Sequence, residues 1–371
     1  MDKSILNQLQ TPCIVIDIEQ AKRNIKEMQD VADTYHCMLR PHIKTHKMLL
    51  FAKLQLEYGA KGITCAKISE AEVMAEDGID DIFIAYPLVG DFRIKRALKL
   101  EGKIRRLILA VDSFEGAAAL NQAARDAEVC LEIRMEVDTG AKRTGVIRQN
   151  AVSLAKEICQ MDNLNLTGIY TFKSLIYHGL PTADKDIAGQ EEGNIMKQLA
   201  DDIEGAGIHL TDISAGSTPT GKSVAQTGLV TEIRPGTYIF KDYMLYKEGI
   251  TKLEDIAAHI YATVVSTPCE EFAVIDGGTK TFPMDIQLNT PPYYYPSYAI
   301  VEGNEDLVLA RMNEEHGIIT SKSGKTGLRV GQIIKMIPIH ICTAINMQNQ
   351  VYLYDGHDII EQKVDARGML V

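Results

Sequence analysis

The sequence lacks the features of an exported or membrane-bound protein. It has no apolar run that approaches the ~20 residues needed to span a bilayer, and its first residues lack the apolar core of an export signal. The seven cysteines are odd in number and form no Cys-x-x-Cys pair, so a disulfide framework is not expected. We therefore expect a cytoplasmic protein with no membrane partner.

The sequence has fewer basic than acidic residues. The 371 residues include 39 Lys and Arg against 50 Asp and Glu, which gives a net charge of −11 and a pI near 5.4. This balance disfavours nucleic acids and anionic membranes as partners, because both are polyanions. The apolar fraction of 46% allows a sizeable core, and the length allows one large domain with a smaller one.

Short β-type runs alternate with longer amphipathic runs through the first two thirds of the chain. Residues 21–35 and 114–126 are two of the amphipathic runs. Eight such alternations in about 230 residues favour a TIM-type (β/α)8 barrel over an open sheet. The predicted strands are residues 37–44, 62–66, 81–86, 107–111, 131–137, 166–172, 210–215 and 232–238.

The composition changes after about residue 250. Val, Ile, Tyr, Gly and Pro dominate there, and helical periodicity fades, which is typical of antiparallel strands. We predict a (β/α)8 barrel over residues 10–248 and an antiparallel β-domain over residues 249–371 together with 1–9. The predicted strands of the second domain are residues 257–266, 272–276, 332–337 and 350–353.

A lysine lies at the end of the first predicted strand, in the octapeptide RPHIKTHK at 40–47. Barrel enzymes carry their functional groups at the C-terminal ends of strands. Desolvation at such a position lowers the pKa of an amine, and Lys44 could then form a covalent bond with an aldehyde cofactor. From the residues alone, a solvated surface lysine remains the alternative.

This octapeptide, with Thr11-Pro12 before it, resembles the start of the D-threonine aldolase/D-serine dehydratase family. These are fold-type III pyridoxal 5'-phosphate (PLP) enzymes related to alanine racemase. The resemblance implies that Lys44 is the lysine that bonds the cofactor. It also implies a homodimer, in which the β-domain of one subunit closes the barrel mouth of the other.

Two small-residue segments lie at the last two predicted barrel strands: SAGSTPT at 214–220 follows the seventh, and RPGTY at 234–238 lies within the eighth. Such loops let backbone N–H groups approach a phosphate, although ordinary turns would show the same composition. They resemble the family motifs SGGSTPT and RPGNY. By that resemblance the phosphate is held by Gly216, Ser217, Thr218, Gly236 and Thr237, and Tyr238 belongs to the same cofactor site.

Two arginines complete the cofactor site implied by the resemblance. The segment DTGAKRTG at 138–145 is similar to a fold-type III motif whose arginine approaches the phenolic oxygen of the cofactor. This makes Arg143 its counterpart, with a surface salt bridge as the alternative. Arg234 matches an arginine that faces the pyridine nitrogen in alanine racemases.

A pair of potential metal ligands lies in IPIHIC at 337–342. Read as a strand, this segment would place His340 and Cys342 on one face, because side chains alternate. Imidazole and thiolate suit Zn²⁺, and two ligands leave positions open, as in a catalytic site. The spacing alone could be coincidental, but it matches the P-x-H-x-[C/D] metal motif of the family. A divalent metal, zinc or manganese, is therefore expected.

The segment after the sixth predicted strand departs from the family. Tyr and Gly often stand where this chain has Phe172 and Ser174, and this leaves the substrate in doubt. Aldolase-type members carry a histidine at the position of His178, and there it serves as the base near the metal. A loop histidine without a catalytic role is the alternative.

The resemblance implies a PLP- and metal-dependent lyase of D-3-hydroxy amino acids. His178 favours retro-aldol cleavage of D-threonine-like substrates to glycine and an aldehyde. Cys342 favours a D-serine dehydratase, which releases a keto acid and ammonia. We favour the aldolase. An amino-acid racemase would need a second base and no metal, and a non-catalytic PLP carrier would usually lack the β-domain, so both are less favoured.

Overall fold

The computed structural model describes residues 3–371 and divides them into two compact units. The barrel unit comprises Lys26–Lys44, Met48–Gly236 and Met369–Val371. The β-unit comprises the described residues up to Ile25, Thr45–Lys47 and Thr237–Gly368. No helix in residues 3–371 is long and apolar enough to span a bilayer.

The strands and helices alternate in the first part of the chain, and strands dominate the last part. The strands are β1 Cys13–Asp17, β2 Met38–Leu39, β3 Ile63–Cys65, β4 Asp81–Pro87, β5 Arg106–Val111, β6 Leu131–Asp138, β7 Val146–Ile147, β8 Leu164–Tyr170, β9 Ile176–Tyr177, β10 Leu180–Pro181, β11 Asp212–Ala215, β12 Glu232–Ile233, β13 Ala258–Ser266, β14 Phe272–Ile275, β15 Ala299–Val301, β16 Asn304–Met312, β17 Gly317–Ser321, β18 Ile333–Pro338, β19 Gln350–Tyr354 and β20 Ile359–Lys363. The helices are α1 Lys3–Leu6, α2 Ile18–Thr34, α3 Leu49–Glu57, α4 Ile68–Glu76, α5 Asp91–Glu101, α6 Phe114–Asp126, α7 Arg148–Ile158, α8 Lys185–Gly205, α9 Gly221–Gln226, α10 Tyr243–Lys247 and α11 Ile341–Met347.

The barrel unit is built on eight parallel strands. Their order is β2-β12-β11-β8-β6-β5-β4-β3, and a parallel bridge between His42 and Thr64 connects the two ends. Their inward residues, such as Phe83, Ile108 and Tyr170, are buried and pack together. The TIM-type barrel predicted from the alternating pattern is therefore confirmed.

The first and last barrel strands are shorter than predicted. β2 stops before Arg40 because Pro41 has no N–H to donate, and a 3₁₀ turn follows over Ile43–Thr45. β12 ends before Arg234, and Pro235 is followed by a second 3₁₀ turn over Thr237–Ile239. Both strands therefore give way to irregular backbone where the expected site begins.

The β-unit contains a small closed barrel of antiparallel strands. The order β14-β17-β16-β15-β18-β13 returns to β14 through a direct β13–β14 pairing. β13 also pairs with β1, and β1 pairs in parallel with β19. β1 and the following residues up to Ile25 belong to the β-unit, whereas the sequence places the domain boundary at residue 10. The antiparallel character of the C-terminal part is confirmed.

Charged side chains, rather than apolar residues, fill part of the barrel interior. Arg40, Arg134 and Glu232 are completely inaccessible to solvent. Arg40 Nε donates to Glu232 Oε2 over 2.8 Å, and Arg134 Nη1 donates to Glu232 Oε1 over 2.6 Å. Burial disfavours the carboxylate, but the two guanidinium groups outweigh it and hold the pKa of Glu232 well below its usual value.

We predict that Glu232→Gln destabilises the protein strongly. The change leaves the two buried arginines without their shared negative charge, and breaking a buried ion pair costs about 3–5 kcal/mol. Because the chain has no tryptophan, unfolding is best followed in urea by circular dichroism. Asp30→Asn removes the exposed partner of Lys26 and should change little. Equal unfolding midpoints for both variants would contradict this role for Glu232.

Candidate active site

Lys44 lies at the C-terminal end of the first barrel strand. The chain turns sharply after β2, and Lys44 is the central residue of the 3₁₀ turn Ile43–Thr45. Ile43 is completely buried, whereas the Lys44 side chain is half-buried. The turn is fixed to the neighbouring strand, since Thr64 N donates to Pro41 O over 2.8 Å. The amine therefore starts from a rigid backbone at the end of the barrel where functional groups cluster.

The ring of Phe172 lies beside two cationic side chains. The Nζ of Lys44 is 5.6 Å from the ring centroid, and the Cζ of Arg143 is 4.5 Å from it. The structure therefore brings Lys44 and Arg143 to one aromatic ring, as the sequence motifs imply. Ser174, which stands where the family often has glycine, adopts a φ of 59°. This left-handed conformation is the one that favours glycine.

The loop that carries Arg143 is tightly folded. Asp138 Oδ1 accepts hydrogen bonds from Gly140 N over 2.9 Å and from Lys142 N over 3.1 Å. Gly145 has a φ of 106°, and a Cβ there would lie 2.6 Å from Asp138 N. Only glycine fits this position without displacing the backbone.

The loop after β11 is rich in hydroxyl and amide donors, and the buried carboxylate of Glu192 binds it. Gly216, with a φ of 87°, donates its N–H to Glu192 Oε1 over 3.0 Å, and the Thr220 hydroxyl donates to Glu192 Oε2 over 2.9 Å. Burial raises the pKa of Glu192. The Ser217 hydroxyl lies 3.1 Å from the Thr220 hydroxyl. Since Gly216 N is already bonded, the hydroxyls offer the donors for an anion at this loop.

The two loops implicated in phosphate binding are joined directly. Gly236 N donates to the Thr218 hydroxyl over 3.2 Å. Thr218 and Gly236 therefore lie together in the barrel unit, as the resemblance implies. Thr237 and Tyr238 lie in the 3₁₀ turn of the β-unit, where Tyr238 is almost fully buried.

Arg234 is buried, and both terminal nitrogens of its guanidinium donate hydrogen bonds. Nη1 donates to the Ser214 hydroxyl over 2.5 Å, and Nη2 donates to Thr171 O over 2.6 Å. Its Cζ also lies 5.1 Å from the centroid of the Tyr170 ring. Burial lowers the pKa of Arg234. Its expected role opposite a pyridine nitrogen stays a prediction.

The prediction that His340 and Cys342 lie on a strand is wrong. β18 ends at Pro338, His340 precedes α11, and Cys342 lies in the first turn of that helix. The alternation argument therefore does not apply, because the chain turns at Ile339–His340. The two side chains nevertheless meet, since the His340 imidazole hydrogen-bonds the Cys342 thiol.

The surroundings of this pair support ligation. His340 Nδ1 lies 2.6 Å from Asp285 Oδ2, so Nε2 is the nitrogen that a metal could take. Cys342 Sγ lies 3.1 Å from the Thr45 hydroxyl and 3.4 Å from that of Thr237. Burial disfavours the imidazolium, but Cys342 and Asp285 outweigh it and raise the pKa of His340 well above its usual value.

The pair provides only part of a metal site. Across residues 3–371, no group of three or more His, Cys, Asp or Glu side chains is arranged to hold an ion. A metal on His340 and Cys342 would therefore keep positions open for water or substrate, which is the catalytic arrangement. Asp285, which orients His340, carries no motif in the sequence and could not be found from it.

His178 lies at the tip of a hairpin formed by β9 and β10. Its side chain is 72% exposed, and Nδ1 lies 2.8 Å from Glu191 Oε1 on α8. No sequence pattern singles out Glu191 or its neighbour Glu192. Both lie on an amphipathic helix, where an acidic residue usually faces solvent.

Comparison with known proteins agrees with this architecture. The family model of the alanine racemase N-terminal domain matches residues 16–244, more than half of the chain, and a serine dehydratase domain model matches residues 257–354. D-threonine aldolase from Arthrobacter sp. is 28% identical over 98% of this chain and 94% of its own length. D-threo-3-hydroxyaspartate dehydratase from Delftia sp. (strain HT23) is 30% identical over 90% of this chain and 91% of its own.

A solved structure shows the same fold over nearly the whole chain. It is a cysteine-to-alanine variant of D-threo-3-hydroxyaspartate dehydratase in the metal-free form, with a TM-score of 0.88 and 27% identity. The alignment covers 98% of this chain and 99% of that one. The resemblance inferred from the sequence motifs is therefore confirmed: the chain belongs to the D-threonine aldolase/D-serine dehydratase family of alanine racemase-like enzymes.

Proposed function

We propose that this protein is a PLP- and metal-dependent lyase that cleaves D-3-hydroxy amino acids of the D-threonine type to glycine and an aldehyde. The observation that carries the proposal is the placement of Lys44 and Arg143 beside the Phe172 ring, at the C-terminal end of the barrel strands. Full-length similarity to an aldolase and a dehydratase of D-3-hydroxy amino acids supports the substrate class.

The residues present fit the cofactor. Lys44 supplies the amine for covalent attachment, Arg143 supplies a cation for the phenolic oxygen, and the hydroxyls of Ser217 and Thr218 suit a phosphate. The φ of 87° at Gly216 bends the loop so tightly that a Cβ would lie 3.1 Å from the Cα of Gly221. When bound, PLP supplies an electron sink for the bond that breaks at the α-carbon.

The residues present also fit a divalent metal. An imidazole held by a carboxylate and a neighbouring thiol form a nitrogen–sulfur donor set that suits Zn²⁺. With two protein ligands, such a site can accept the 3-hydroxyl of a substrate. The metal-free form of a relative that lost a cysteine supports metal binding in this family.

Lys44 and His178 would act on different atoms of the substrate. Lys44 can hold or accept a proton at the α-carbon once its amine is released. His178 can take the proton of the 3-hydroxyl, because a neutral imidazole is a common general base. When that hydroxyl proton is removed, the bond between the α- and β-carbons breaks and the β-carbon leaves as an aldehyde. A proton delivered to the α-carbon, for which Lys44 is the candidate donor, then completes glycine.

Dehydration is the second candidate reaction, and Cys342 favours it. If Lys44 removes the α-proton, the 3-hydroxyl can leave with help from a Lewis acid, and the products are a keto acid and ammonia. The similarity to D-threo-3-hydroxyaspartate dehydratase supports this second reaction.

We predict that Lys44→Ala abolishes the visible absorbance of bound cofactor and the turnover. The change removes the amine to which the cofactor bonds. Borohydride reduction of the wild-type protein, followed by peptide mapping, should place the label on Lys44. A label on Lys47 instead would contradict the assignment.

We predict that chelation of the metal stops turnover and leaves the cofactor absorbance unchanged, because metal and cofactor use different ligands. Elemental analysis should show that Cys342→Ala loses the metal, whereas Cys342→Asp shifts the preference from Zn²⁺ towards Mn²⁺ and Mg²⁺. Full activity in rigorously metal-free protein would contradict the metal site.

We predict that His178→Ala slows glycine release from D-threonine by about 10²–10⁴-fold, the usual cost of losing a general base. The cofactor and metal should remain bound, and Phe172→Tyr should be tolerated. The assay scores glycine and aldehyde against ammonia and keto acid, with D-threonine and D-serine as substrates. If the wild-type protein releases only ammonia and keto acid, the protein is a dehydratase.

A further inference from the structure

The hairpin that carries His178 has an unusual residue at its tip. His178 and Gly179 form the two-residue connection between β9 and β10, with φ values of 49° and 76°. Positive φ at both positions is typical of a type I′ turn, which prefers Asn or Gly at its first position. A histidine there carries a conformational cost, so the surrounding structure must hold it in place.

One carboxylate holds this tip. Glu191 Oε1 accepts a hydrogen bond from His178 N over 3.1 Å and lies 2.8 Å from His178 Nδ1. Glu191 Oε2 pairs with Lys173, whose buried ammonium also donates to Ala188 O over 3.2 Å. The backbone and ring of His178 are therefore both bound to α8, although the ring remains largely exposed.

The hairpin packs on the loop that carries Arg143. A Cβ on Gly140 would lie 3.5 Å from Ile176 Cγ2 and 3.8 Å from Gly179 Cα. Gly140 stands three residues before Arg143, whose guanidinium lies over Phe172. The contact places the hairpin beside the loop that leads to the candidate cofactor site.

We propose that Glu191 is a positioning residue for His178. Its carboxylate accepts the Nδ1 proton of the ring, so that Nε2 is the nitrogen available to take the 3-hydroxyl proton of the substrate. This inference rests on the proposed retro-aldol function. The pairing follows the general rule that a catalytic imidazole is oriented by a group on its other nitrogen.

The side chains around the His178 ring determine what the loss of Glu191 would change. Glu191 faces the ring from α8, Lys173 acts through that same carboxylate, and Tyr177 stacks beside it with 3.9 Å between the ring centroids. The adjoining cleft of about 320 Å³ adds the neutral side chains Gln190, Asn194 and Gln198. Glu191 is the carboxylate that contacts the ring directly, so its loss should leave the Nδ1 proton without this acceptor.

The test variant is Glu191→Ala, which removes the acceptor, and Glu191→Gln keeps an amide oxygen in its place. Nitrogen-15 NMR on labelled imidazole reports which ring nitrogen carries the proton, with His178→Ala used to assign the signals. We expect Glu191→Ala to lose the preference for the Nδ1 proton and to lower kcat for glycine release roughly tenfold, and Glu191→Gln to restore most of both.

Asp202→Asn is the matched control. It removes an exposed negative charge from the same helix, 11 residues or about 16 Å along the axis from Glu191. The NMR signals and kcat should both stay at wild-type values. If Glu191→Ala fails to fold because Lys173 loses its partner, the double variant Lys173→Met/Glu191→Ala removes that orphaned charge and serves instead.

The outcomes separate the inference from the proposed function. Wild-type protein that releases no glycine overturns the aldolase. Glycine release whose kcat is unchanged in Glu191→Ala, or is not restored by Glu191→Gln, overturns the role of Glu191. Loss of the Nδ1 preference and of kcat in Glu191→Ala, with both restored in Glu191→Gln, supports the positioning role.

Discussion

The ion cluster in the barrel interior is the constraint on which the rest of the barrel unit depends. Glu232 begins the last strand, β12, Arg40 follows the adjacent strand β2, and Arg134 lies on β6, beyond β11 and β8 in the sheet order. Their hydrogen bonds connect strands that are far apart in sequence. Arg40 also opens the octapeptide that contains Lys44. The same side chain therefore anchors the interior and fixes the start of the turn that presents the amine.

The two units contribute different chemistry. The barrel unit presents a lysine, two arginines and a hydroxyl-rich loop, which suit an anionic cofactor with an aldehyde. The β-unit presents an imidazole and a thiol, with the hydroxyls of Thr45 and Thr237 on the sulfur. Thr45 and Thr237 each directly follow a residue of the barrel unit that the resemblance assigns to the cofactor site, namely Lys44 and Gly236. The chain thus changes units within the motifs themselves.

Hydrophobic periodicity was sufficient to predict the barrel and the antiparallel domain. A helix or strand that is buried on one face carries apolar residues at a fixed spacing, and this spacing is visible in the sequence. Periodicity failed at IPIHIC, where alternating apolar residues suggested a strand but the chain turns into α11 after His340. The two side chains still meet, and their assignment as metal ligands, which rests on the family motif, stays a prediction. Asp285, Glu191 and Glu192 were not found, because each acts through a contact distant in sequence and leaves no local pattern.

Glu191 and Glu192 are consecutive residues of α8, and they hold two different loops. Glu191 binds the hairpin tip at His178, and Glu192 binds the hydroxyl-rich loop at Gly216 and Thr220. Neighbouring residues on a helix point about 100° apart, so one rigid turn serves both loops. An insertion or deletion of one residue in α8 before this point would rotate both carboxylates together and release both loops at once. The positions of Glu191 and Glu192 along α8 are therefore constrained by both loops, which the amphipathic pattern of the helix alone does not show.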